Sequence, residues 1–149
     1  MIADLKSLYA RDLARLKTEI TSYKDEKCIW LVDKEIANSG GNLCLHLIGN
    51  LNAYIGVGLA KTGYVRQRDL EFSQKNIPQA ELLKMIEDTI QVVAKGLGTL
   101  SESEMKADFP ILIWDKPTET GYTLIHLLTH LNYHLGQINY HRRLLTTTL

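Results

Sequence analysis

Residues 42–62, NLCLHLIGNLNAYIGVGLAKT, are apolar on almost every face when wound as a helix, and this run constrains the fold more than any other. A helix apolar all round must be enclosed by neighbours on most sides. Gly49, Gly56 and Gly58 inside it each cost on the order of 1 kcal/mol of helix propensity relative to alanine, so they read as points where another segment comes close. Three other periodic segments can supply the enclosure. About residues 2–26 place Leu5, Leu8, Tyr9, Leu13, Leu16, Ile20 and Tyr23 three and four apart, with Lys6, Asp12, Lys17 and Glu19 on the other faces. Residues 79–97 do the same with Leu82, Leu83, Ile86, Ile90, Val93 and Leu97, and a last helix is expected over 122–145. Asn38-Ser39-Gly40-Gly41 breaks the chain before the apolar run. The polar stretch 64–77 reads as a connection and Arg66, Arg68, Asp69 and Glu71 as its solvated surface. Phe109 to Trp114 reads as a short strand or a strap. The expectation is an all-α four-helix bundle forming one domain over residues 1–149.

Charge limits the partners. The chain carries 17 Lys and Arg against 17 Asp and Glu, so nothing draws it to nucleic acid or an anionic membrane. No run approaches the length of a membrane span, and the amphipathic start is unlike a signal peptide. Cys28 and Cys44 form neither a CxxC pair nor a disulfide framework. These features suggest a cytoplasmic protein with reduced thiols; Trp30 and Trp114 read as packing groups.

Four of the five histidines lie in the last helix. With His130 as zero, His126 falls at about −40°, His134 at about +40°, Gln137 at about −20° and His141 at about +20°, one narrow stripe. Two histidines at i and i+4 can share one ion, but the next turn is about 5.4 Å further on, so a third ligand must come from another helix. His46, inside the apolar run, is the candidate. Asn50 and Asn42, one turn to either side of His46, could face the same cavity or act as caps and core partners. Tyr133, at about −60°, could line it. Cys44, two residues from His46, should point away.

The run His130-Leu131-Asn132-Tyr133-His134-Leu135-Gly136-Gln137-Ile138 resembles the HxxxHxGQI signature of the DinB/YfiT-like superfamily. The resemblance implies an up-down-down-up four-helix bundle with a three-histidine site for zinc or nickel. It makes His46, His130 and His134 the ligands and Gln137 their neighbour. His126 and His141 fall outside that triad, as partners of the ligand rings or as surface groups; the surface or interface reading is favoured for His141. Three histidines leave a coordination position open, as in catalytic zinc sites. No carboxylate occupies the second or last helix near the ligands to serve as the base of a metallohydrolase. The implied activity is therefore a metal-dependent thiol transferase or hydrolase, with a small-molecule thiol or electrophile as partner. The alternative is a non-catalytic metal- or ligand-binding bundle, and a homodimer is expected in either case. Which residue is catalytic stays open.

Overall fold

A computed structural model describes residues 1–145 of the 149. The described residues are helical, with no named strand. The long helices are α1 (Ile2–Thr21), α2 (Gly40–Leu51), α4 (Gln79–Gly98) and α6 (Thr120–Leu145). The short ones are α3 (Arg68–Ser73) and α5 (Glu102–Lys106). A 3-10 turn, Glu26–Trp30, follows α1. α1 packs on α4 and α6, and α2 packs on the same two helices and on α3. No helix is long and apolar enough among the described residues to cross a membrane.

The expected apolar stripe of α1 is buried: Leu5, Tyr9, Leu13, Leu16 and Ile20 join Leu82, Ile86, Val93 and Leu97 of α4 and Leu124, Leu127, Leu131, Leu135 and Ile138 of α6. Two details depart from the sequence expectation. Helix α1 ends at Thr21 rather than near residue 26, because Asp25 Oδ1 accepts the Lys27 N–H at 2.9 Å and starts a new turn. Asp12, expected on the solvated face, is 1% exposed. It accepts from Arg11 Nε at 2.8 Å and from Asn132 Nδ2 of α6 at 3.1 Å, partners that offset the cost of burying a carboxylate. Nearby, the Tyr9 hydroxyl donates to the Leu124 carbonyl at 2.7 Å, a second polar tie between α1 and α6.

Every residue of α2 is buried, as the all-round apolar run requires. The helix starts at Gly40, two residues earlier than expected, because Ser39 Oγ caps it by accepting the Asn42 N–H at 3.1 Å. After Leu51 it widens into a π-helical turn, Asn52–Gly56. Here Asn52 Nδ2 donates both to Ile48 O at 2.9 Å and to Thr89 Oγ1 of α4 at 3.0 Å. Residues 109–114 form a strap rather than a strand. The Phe109 N–H donates to Thr118 O at 2.8 Å and the Thr120 N–H to Ala107 O at 2.9 Å, leaving one isolated bridge, Asp108 with Glu119. The buried Phe109 ring lies over Gly58, where a Cβ would come within 3.3 Å of it.

His141, favoured for the surface on sequence grounds, is 4% exposed. Its Nε2–H donates to Leu31 O at 2.9 Å, so Nδ1 accepts from the Tyr23 hydroxyl at 2.6 Å. One neutral imidazole thus ties α6 to the end of α1 and to the segment leading into α2. Burial lowers its pKa below the ordinary 6.5. Its stabilisation is therefore fully present above about pH 6.5 and is lost as the pH falls below that value, where the unfolded chain takes up the proton first. We expect the urea midpoint of metal-free protein to fall from pH 7 to pH 5. His141→Phe should lower the midpoint at pH 7, by about 1–3 kcal/mol for each buried group left unpaired, and make the acid decline shallower. An unchanged pH profile in the variant would contradict this role.

Candidate metal centre

Helix α2 brings His46 against the face of α6 that carries His130 and His134. His130 Nε2 lies 3.1 Å from His46 Nε2 and 3.1 Å from His134 Nε2. The donor atoms of all three fall within 4.8 Å of one another. Bonds of about 2.0–2.1 Å in a tetrahedral zinc site separate ligand nitrogens by about 3.3 Å, close to what the protein presents. His46 is buried and the other two are half-buried. Among the described residues no further His, Cys, Asp or Glu joins the group.

The outer ring nitrogens decide what the inner ones offer. His46 Nδ1 faces Glu71 Oε1 at 3.0 Å. That carboxylate also accepts from Arg66, at 2.8 Å from Nε and 2.9 Å from Nη2. A group already accepting from a guanidinium takes the His46 proton on Nδ1, so a lone pair points inward from Nε2. His134 Nδ1 likewise faces Gln137 Oε1 at 2.7 Å, and Gln137 Nε2 donates to the Tyr133 hydroxyl at 3.4 Å. Two lone pairs therefore converge on His130. Burial lowers the His46 pKa against the opposing pull of Glu71. Burial, then the neighbouring His134 and His46, lowers that of His130 to about 4. Neutral imidazoles are the ligating form, and converging lone pairs are what a cation satisfies. The residues fit a divalent ion.

Glu71 and Arg66 are what the sequence reading missed. The connection expected to be solvated folds into α3 against α2, and Glu71 is only 5% exposed. Asn42, considered for the cavity, instead holds this connection in place. Its Nδ2 donates to Glu71 O and Gln74 O, both at 2.9 Å, and its Oδ1 accepts from Ser39 Oγ and Lys75 Nζ. Gly49 makes room for the carboxylate: a Cβ there would lie 1.9 Å from Glu71 Oε2. The Phe72 ring completes the cover, 5.0 Å from that of His46. A glycine three residues after His46 was the available signal; it announced a close approach without saying of what.

The remaining candidates separate clearly. Gln137 and, through it, Tyr133 connect to His134. Tyr133 is exposed and borders an open groove of 470 Å³ with His134, Gln137, Tyr140 and Ile36. Asn50 is buried and its Oδ1 has no hydrogen-bond partner. His126 is exposed and packs edge-on against Trp114, with ring centroids 4.8 Å apart. Cys44 is fully buried outside the cluster, and Trp30 is a packing group, as expected.

Outer partners of metal-bound histidines typically control affinity by about 10–100-fold. Glu71→Gln should weaken zinc binding by about that factor in a competitive chelator titration. Gly49→Ala, which touches no ligand, should weaken it in the same direction by displacing the carboxylate. Wild-type affinity in Gly49→Ala would show that the close approach is not what holds Glu71.

All of these residues lie within the span to which a known family model applies. No curated protein matches the chain. The family model described as "Protein of unknown function (DUF1572)" matches residues 4–148, and the chain belongs to that family.

Proposed function

We propose that the chain is a DinB-like four-helix bundle of up-down-down-up topology that binds one zinc or nickel ion on His46, His130 and His134 and works as a metal-dependent thiol transferase. The observation that carries the reading is the convergence of three Nε2 atoms with no fourth side-chain donor among the described residues. When bound, the ion would supply the Lewis acidity that lowers the pKa of a ligating thiol or water. The protein's own contribution is to hold neutral imidazoles in fixed tautomers through Glu71 and Gln137. The half-buried rims of His130 and His134 leave the cluster accessible, and the groove beside His134 has room for a small-molecule electrophile. Glu71 accepts from both His46 and Arg66, which leaves it poorly placed to act as the base of a hydrolase. A homodimer in a reducing, cytoplasmic setting belongs to the same reading, and the two free, buried cysteines are consistent with that setting.

The test is a screen of tag-free, metal-loaded protein for conjugation of low-molecular-weight thiols to electrophiles. Activity should require the metal and should vanish in His130→Ala. Conjugation that survives His130→Ala would refute the mechanism, and a stoichiometric metal with no conjugation of any thiol would favour a non-catalytic binding module.

A further inference from the structure

Each of two candidate ligands has an outer partner, Glu71 for His46 and Gln137 for His134. The third has none: His130 Nδ1 is buried and makes no hydrogen bond. An imidazole that gives its Nε2 lone pair to a cation carries its proton on Nδ1, and that N–H almost always finds an acceptor. The facing helix holds an unused acceptor of matching polarity. Asn50 Oδ1 is also buried without a partner, in a residue only 8% exposed. Asn50 follows His46 by one turn, so it leaves α2 about 40° from His46 and about 6 Å further along the axis. The His46 and His130 rings are themselves only 5.0 Å apart.

Two other buried polar atoms are unpaired, Thr62 Oγ1 and Thr123 Oγ1. Thr123 sits on the same helix as His130 but seven residues before it, about 10 Å along the axis, too far for its hydroxyl to reach Nδ1. Thr62 lies beyond the π-helical turn, after α2 has ended. Leaving a buried donor and a buried acceptor both unmade is costly, and pairing them relieves both at once.

We propose that Asn50 is the positioning residue for His130, accepting its Nδ1–H directly or across one bridging water when the three histidines hold a metal. The carboxamide would then fix the His130 tautomer as Glu71 fixes that of His46. This inference rests on the metal-binding reading of the three histidines.

The experiment compares wild type, Asn50→Leu and Asn50→Asp by zinc titration and by nitrogen-resolved NMR of the histidine rings. Leucine keeps the size and removes the acceptor; aspartate keeps the acceptor. In zinc-loaded wild type, His130 should show a protected Nδ1–H resonance. Asn50→Leu should lose that protection and bind zinc about 10–100-fold more weakly, while its metal-free form melts no lower than wild type. Asn50→Asp should restore both affinity and resonance. Wild-type affinity and an unchanged His130 resonance in Asn50→Leu would overturn the assignment while leaving the metal reading intact. Failure of wild type to take up zinc or nickel at all would overturn both. A metal-free Asn50→Leu that melts well below wild type would show a structural role and also overturn it.

Discussion

Enclosure of α2 on every side is the constraint from which the rest follows. All twelve of its residues are buried, so each polar side chain it carries must find a partner inside the protein or pay the full cost of desolvation. Asn42 meets this demand by holding the backbone of the 71–75 connection, and His46 by binding Glu71. The same demand explains why that connection folds inward at all. A surface loop of Arg66 and Glu71 would leave Asn42 and His46 Nδ1 unpaired in an apolar helix. The enclosing layer and the candidate metal site are therefore one construction.

The polar chain running outward from the site is graded in charge. Arg66 lies over the Tyr54 ring, 5.8 Å from its centroid, and grips Glu71 with two nitrogens. Glu71 accepts from His46, and His46 offers an uncharged nitrogen to the centre. The cation thus stabilises the carboxylate, and the carboxylate sets the tautomer without itself entering the cluster. His134 reaches the same state with a neutral amide. Two ligands prepared by unlike partners have unequal basicity, the kind of asymmetry by which outer groups tune a metal centre.

The long helices were legible because burial imposes a period that survives in sequence, and Leu5, Leu82 and Leu124 lie where that period puts them. The His130 and His134 pair was legible for the same geometric reason. His46 was placed by resemblance and by its isolation in an apolar run, and the structure brings its Nε2 to within 3.1 Å of His130. Glu71, Arg66 and the inward roles of Asn42 and His141 were not legible. Each depends on a contact between segments far apart in the chain, and a carboxylate in a six-residue helix carries no period to mark it. Asp12 was misjudged for a related reason: its position on the helix wheel is polar, but Asn132 of α6 covers it. Pattern records which face is buried, and only packing records which polar groups are buried with it.

The central claim is that His46, His130 and His134 act together as the ligands of one ion. X-ray absorption spectroscopy of the zinc- or nickel-loaded protein reads the ligand set directly. The account predicts three imidazole nitrogens, at about 2.0–2.1 Å for zinc, with one of them lost in His46→Ala. A sulfur shell, or an imidazole count unchanged by His46→Ala, would contradict it.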